Sequence, residues 1–242
     1  MNAESPAGGP APLDVQVARK RLGAASGLTV EVISDLAFRL EPGEIGALIG
    51  PSGCGKSTLM RIIAGLDERY DGAVSRPPGP IGMAFQEPRL LPWRSVEDNI
   101  RLAAPQASDA EVEALLLPLG LTEHRAHYPG ELSVGQQRRA ALARAFAVKP
   151  AVLLLDEPFV SLDAPLALAL QRQLAALVVE RQATTVLVTH DVDEAIRLAD
   201  RILVLSPRPA RVIGEIRVEN PREAMSGAEA RRIEAQVEAL RT

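Results

Sequence analysis

Gly50-Pro51-Ser52-Gly53-Cys54-Gly55-Lys56-Ser57-Thr58 is the stretch that decides how this sequence folds. Through Ser57 it fits G-x-x-x-x-G-K-[ST]. The glycines let the backbone fold tightly, so that its N–H groups surround phosphate oxygens. A helix beginning near Ser57 adds the partial positive charge of its N-terminus. Lys56 has the reach to meet β- and γ-phosphates, and the Ser57 hydroxyl suits Mg²⁺, which prefers oxygen donors. A Gly-rich turn can match such a pattern by chance. Here an apolar run, 45–49, precedes it and a helical stretch, 57–66, follows, as the chemistry requires.

Outward from that loop, short and almost wholly apolar runs recur at 45–49, 81–85, 151–155, 185–188 and 202–205. Strands apolar on both sides belong in a parallel sheet covered on both faces. Helical patterns separate most of them, which predicts a doubly wound α/β core. Upstream, Leu13, Val15 and Val17, and then Leu28, Val30 and Val32, alternate as antiparallel strands with one apolar face. Glu41-Pro42-Gly43-Glu44 is a turn with Pro and Gly placed for type II geometry. From 87 to 140 the pattern becomes helical: Ser95 and Ser108 are candidate N-caps, the second with Glu111 completing a capping box. Val112, Leu115, Leu116 and Leu119 follow at helical spacing. This stretch is expected to form a helical subdomain inserted into the core. Ser226 and Glu229 form a further capping box before an Ile233/Val237/Leu240 stripe, expected as a short packing helix. The expected organisation is a loose tail over 1–12, one domain over 13–220, and a C-terminal tail with that helix over 221–242.

Asp156 and Glu157 close the run Val-Leu-Leu-Leu, at the C-terminal end of a buried strand, where open α/β sheets bind ligands. Asp156 can hold Mg²⁺ through water, and Glu157 can polarise an attacking water as general base. His190 ends another apolar strand at the same sheet edge. It can hold a γ-phosphate and the water in place, although a lone histidine there is as readily packed or solvated. Ser133, with Gln136 three residues on, opens a helix carrying Leu142, Ala145 and Phe146. Capping alone explains that pair. The same free N–H groups equally suit an anion, and the residues alone leave both accounts open.

In order, GPSGCGKST (50–58), Gln86 after an apolar strand, LSVGQ (132–136), LLLDEP (153–158), SLD (161–163) and VTHD (188–191) resemble an ATP-binding-cassette (ABC) ATPase subunit. The resemblance runs from about Leu13 to Arg217. It implies a P-loop NTPase core with an N-terminal antiparallel β subdomain and an inserted helical subdomain. It also implies hydrolysis of ATP with Mg²⁺. In that family Gln86 links Mg²⁺ to the helical subdomain and Asp163 lies on a loop crossing a dimer interface. Ser133, Gly135 and Gln136 belong to the segment that meets ATP held by the other subunit, which decides between the two accounts of that helix. The stretches 85–100, 156–164 and 188–209 are most similar to nitrate/sulfonate/taurine-type importers. The resemblance then implies a second copy or a homologous ATPase, permease subunits near Gln86–Trp93 and, indirectly, a solute-binding protein. The place implied is the cytoplasmic face of a bacterial inner membrane. A soluble ABC ATPase uncoupled from transport is the alternative.

Two departures stand out. Val134 occupies a position where the family commonly has glycine. The family usually stacks adenine on an aromatic in the early β region, around Leu22–Leu28 here, but no aromatic residue precedes Phe38, so adenine is expected to rest on aliphatic or Arg groups, or on something outside this chain.

The composition agrees. The chain has 242 residues, a hydrophobic content of 47% and a net charge of −4 without a Lys/Arg-rich run. That disfavours nucleic-acid binding through a broad basic face. The single cysteine, Cys54, excludes an internal disulfide framework.

Overall fold

The computed structural model describes residues 11–23, 29–160, 162, 164–219 and 227–241. In chain order the elements are β1 (Leu13–Gly23), β2 (Thr29–Leu40), β3 (Ile45–Ile49), α1 (Lys56–Ile63), β4 (Asp71–Ser75) and β5 (Ile81–Ala84). Then come α2 (Val96–Ala103), α3 (Asp109–Leu116), α4 (Val134–Ala147), β6 (Val152–Asp156) and α5 (Ala164–Arg181). β7 (Thr184–Val188), α6 (Val192–Leu198), β8 (Arg201–Leu205), β9 (Val212–Arg217) and α7 (Gly227–Arg241) complete the fold.

Six strands form one sheet in the order β5-β6-β7-β3-β8-β9. Its first five strands run parallel, and β9 is antiparallel to β8. Alternate residues of the central strands enter two separate cores. Ile45, Ala47, Ile49, Leu153 and Leu155 pack with the helices α2 to α7. Leu48, Val152, Leu154, Val186 and Val188 pack with α1 and the strands β1 and β2. Both faces are therefore covered, which is why every residue of β3, β6 and β7 is buried and these strands carry no polar alternation. Each fully buried branched side chain contributes about 1.5–3 kcal/mol of transfer free energy.

The second sheet is antiparallel, β2-β1-β4. Leu13, Val15, Val17 and Val32 are buried as their alternation predicts, but Val30 is 40% exposed. Leu28 lies outside the described residues. The cause is a register shift between Lys20 and Arg21. The Lys20 side chain turns inward there, with its ammonium on Asp67 (2.6 Å) and the Arg69 carbonyl (2.7 Å). Beyond the bulge Leu22 and Val30 are paired and both stand exposed.

Within 87–140 the caps fall where the side chains predict. Ser95 Oγ accepts from Asp98 N, and Ser108 and Glu111 bond reciprocally. Val112, Leu115, Leu116 and Leu119 are all buried, although α3 ends at Leu116. At the other end of the chain Ile233 and Val237 of α7 are fully buried, while Ser226 lies outside the described residues.

Glu97 ties the helical part together. It receives Arg101 at 2.6 Å within its own helix and Arg125 Nη2 at 2.8 Å from the connection between α3 and α4. The Arg125 hydrogen bond, foremost, lowers the Glu97 pKa from 4.5 to about 2. A carboxylate held low when folded contributes stability above its unfolded pKa and loses it as pH falls through the folded one. Thermal stability is therefore expected to drop as pH falls from 4.5 towards 2. In Glu97→Gln that segment of the melting curve should flatten. An unchanged slope in the variant would remove Glu97 as the group responsible.

Candidate functional site

The loop between β3 and α1 is shaped by Gly55, the N-cap residue of α1, whose φ is 134°. A Cβ there would lie 3.1 Å from the Val32 carbonyl and 2.9 Å from a Val32 methyl. Only glycine fits that conformation and that approach together. Lys56 Nζ donates to the carbonyls of Gly50 (2.6 Å) and Pro51 (3.0 Å), which fixes its charged head at the mouth of the loop. Cys54 turns into the β1/β2-side core and is buried.

Across from the loop, Ser57 Oγ donates to Asp156 Oδ2 at 3.0 Å. Burial pushes the Asp156 carboxyl up, the Ser57 hydrogen bond opposes this, the Glu157 charge adds to it, and the Lys56 charge counters. Glu157 follows immediately, in the left-handed region at φ 48°, held by its N–H on the Val188 carbonyl at 2.9 Å. A non-glycine residue in that region is strained and is found where surrounding structure enforces it. The turn leaves Glu157 Oε2 3.5 Å from both Gln86 Nε2 and His190 Nδ1. Three neighbouring strand ends, β5, β6 and β7, thus deliver Gln86, Asp156 with Glu157, and His190 to one place.

These groups surround a cleft of about 410 Å³, lined by Ser52, Gly53, Gly55, Lys56, Ser57, Thr58, Gln86, Asp156, Glu157 and His190. Gly50, Pro51 and Cys54, from the same loop, do not line it. Leu22, Val32 and Arg208 do. Leu22 begins the early β stretch, 22–28, where the family resemblance expects adenine, whereas Val32 and Arg208 have no role assigned from the sequence. Among the described residues no group of three His, Cys, Asp or Glu side chains converges to hold a metal. The donors present are a hydroxyl, a carboxylate and an amide. They suit Mg²⁺, which binds through one or two carboxylates while keeping waters and phosphate oxygens.

Ser133, Gly135 and Gln136 are absent from the cleft lining. Ser133 and Gln136 form a complete cap on α4: Ser133 Oγ accepts from Gln136 N (3.2 Å) and Gln136 Oε1 accepts from Ser133 N (2.8 Å). Val134 is 56% exposed, so its branched side chain meets no neighbour that would resist it. A Cβ on Gly135 would lie 3.2 Å from Leu162, so the glycine there allows close packing. Asp163 lies outside the described residues.

Between the two regions runs the segment 88–95. Asn99, fully buried, accepts from Leu91 N (2.8 Å) and donates to the carbonyls of Leu91, Arg94 and Ser95. Arg144 of α4 donates to the carbonyls of Pro88 (3.0 Å) and Arg89 (2.8 Å). The segment is held from two helices, and Trp93 projects from it 70% exposed. The Arg89 guanidinium sits over the Phe85 ring at 4.3 Å.

A family model described as ABC transporter matches residues 33–160. Aliphatic sulfonates import ATP-binding protein SsuB 2 of Burkholderia cenocepacia is 44% identical, over 88% of this chain and 82% of its own length. The protein of that name from Pseudomonas syringae pv. tomato is also 44% identical, over 87% of this chain and 90% of its own. Among solved structures, a dimeric bacterial ABC transporter cassette superposes with a TM-score of 0.77 at 26% identity, over 86% of this chain and 99% of that one. A post-hydrolysis state of that ATP-binding cassette, bound to ADP and Pi, superposes with a TM-score of 0.74 at 26% identity and the same coverage.

Proposed function

The chain belongs to the ABC transporter family and is an ATP hydrolase, and from that premise we propose that two copies clamp two ATP molecules to drive a membrane importer. One observation supports this above the rest. Lys56, Ser57, Gln86, Asp156, Glu157 and His190 meet in one cleft, while the Ser133 helix start faces elsewhere on the same chain. A second copy supplies what the cleft lacks.

In this reading the loop backbone and Lys56 hold the triphosphate. Glu157 takes a proton from the attacking water, and His190 keeps the water and γ-phosphate aligned. Ser57, Asp156 and Gln86 would hold Mg²⁺, which when bound neutralises charge on the phosphate oxygens. The second copy's Ser133, Gly135 and Gln136 approach the γ-phosphate, with Gly135 presenting a helix N–H that the Ser133–Gln136 cap does not use. ATP contacts both copies only when they are closed, so its binding favours closure and its hydrolysis reopens the pair.

Among the described residues no helix is long and apolar enough to cross a membrane. Relatives named as import ATP-binding proteins support a permease as a separate partner, met on the cytoplasmic face of a bacterial inner membrane, with a solute-binding protein acting further upstream. Relatives named for aliphatic sulfonate import support a small sulfonated or similar organic anion as cargo. Trp93, with Leu91 beside it, supports coupling to a permease over the alternative of a soluble, uncoupled ATPase, because a large exposed aromatic on a braced loop suits an interface core. Trp93→Glu is expected to leave ATP turnover of the isolated subunit near wild type and to abolish its copurification with its permease. If the variant copurified as wild type does, that surface would be removed from the interface. If wild type also failed to copurify, transport coupling itself would be lost.

A further inference from the structure

The strand order gives the cleft a direction. Gln86, Glu157 and His190 follow β5, β6 and β7, on one side of β3 and its loop. Arg208 follows β8, on the other side. A nucleotide whose γ-phosphate lies by Glu157 and His190 therefore carries its base towards Arg208, Leu22 and Val32.

That end holds no aromatic ring. The chain has seven aromatic residues, four Phe, two Tyr and one Trp, and none lines the cleft. Residues 24–28 are Ala-Ala-Ser-Gly-Leu and add none. Leu22 is 42% exposed into this region and Val32 is buried beneath it. Among the described residues lining that end, Arg208 is the one flat side chain.

It is also fixed in place. The turn around it is closed by Ser206 N on the Arg211 carbonyl (2.9 Å) and by Ser206 Oγ on the Pro209 carbonyl (2.9 Å). Ala210 docks the turn on β2, its N–H on the Val32 carbonyl at 2.8 Å and its carbonyl on Ser34 N at 3.1 Å. Pro207 and Pro209 flank the arginine and restrict the backbone on either side. The guanidinium Nε donates to the Gly53 carbonyl at 3.1 Å, and Nη2 donates to the same oxygen. One edge of the cation is thereby anchored to the phosphate loop, and its plane is left to stack.

We propose that Arg208 lays its guanidinium plane against the nucleobase and is, with Leu22 and Val32, the base-binding side of this cleft. The inference rests on the cleft's being the ATP site. A delocalised planar cation is attracted to the π face of a purine and is only weakly hydrated, so stacking costs it little. Leu22 and Val32 supply apolar contact without hydrogen bonds to the base edge. Base identity is then read weakly, and ATP and GTP bind with similar affinity.

The test compares Mg·ATP, Mg·GTP and Mg·tripolyphosphate binding to wild type, Arg208→Ala, Arg208→Lys and Lys56→Ala by calorimetric titration. Both Arg208 variants should weaken ATP and GTP by roughly five- to tenfold, as loss of a partly desolvated cation–π contact does. Tripolyphosphate, which has no base, should bind them as it binds wild type. An equal loss for tripolyphosphate would make Arg208 a brace of the phosphate loop and overturn the proposal. So would unchanged ATP binding, or wild-type ATP binding by Arg208→Lys, which keeps the charge and lacks the plane. A strong wild-type preference for ATP over GTP would show a base-edge contact that this site does not supply and would also overturn it. The underlying ATP reading fails separately, if folded wild type binds neither ATP nor tripolyphosphate, or if Lys56→Ala binds both as wild type does.

Discussion

Glu157→Gln is expected to bind Mg·ATP and hydrolyse it at least about a hundredfold more slowly than wild type, the loss that follows removal of a positioned base. The amide is isosteric and can still meet Gln86 and His190, which lie 3.5 Å from the carboxylate. It cannot accept a proton from water. The backbone at Glu157, held in the left-handed region by its bond to Val188, does not depend on the side chain's charge. Binding should therefore survive while chemistry stops, and the variant should accumulate as an ATP-loaded dimer on a sizing column. Phosphate release at near the wild-type rate would take Glu157 out of its role as base.

Ser133→Arg carries the second large effect, because it separates a site built from one chain from a site built from two. The substitution removes the oxygen that accepts from Gln136 N, at a cost of about 1 kcal/mol in cap stability. The reciprocal bond from Ser133 N to Gln136 Oε1 uses backbone and remains. The fold should survive, and ATP should still occupy the loop that Lys56 closes. ATP-dependent dimerisation and hydrolysis should fail, since a bulky cation replaces the helix start that the proposed clamp brings to the other copy's phosphates. Mixing with Lys56→Ala sharpens the test: the mixed dimer has one composite site carrying both lesions and one carrying neither. Partial recovery of hydrolysis on mixing supports shared sites. If Ser133→Arg alone dimerises and turns over normally, the segment is only a capped helix.

The residues that were legible in the sequence are those whose role is set by neighbours close in the chain. The phosphate loop needs its glycines and Lys56 within nine residues, and the Ser95, Ser108 and Ser133 caps need a partner three residues on. The central strands were legible because burial on both faces leaves uninterrupted apolar runs. Strands β4 and β9 leave no such run in the sequence. The first, Asp71-Gly-Ala-Val-Ser, is mostly exposed, and Gly214 interrupts the alternation of the second. The face of Val30 departs from its alternation because the register shift near Lys20 answers to Asp67, 47 residues away. Arg208 reaches the cleft only through the pairing of Ala210 with β2 and the bond to Gly53, neither of which leaves a periodic trace. Trp93 could serve core or interface from its sequence, and its exposure decides against the core.

Arg144 and Asn99 have a consequence for efficiency. Every bond they make to 88–95 ends on backbone, so the segment has little slack relative to the helix that starts at Ser133. A loosely tethered loop would absorb a small displacement as its own distortion. Braced in this way, the segment is expected to act as a stiff crank, passing a movement of α4 on to Trp93 with little loss. In a clamp that closes on ATP, such stiffness sets how many nucleotides are spent per solute moved, because any play in the crank is a turnover that idles.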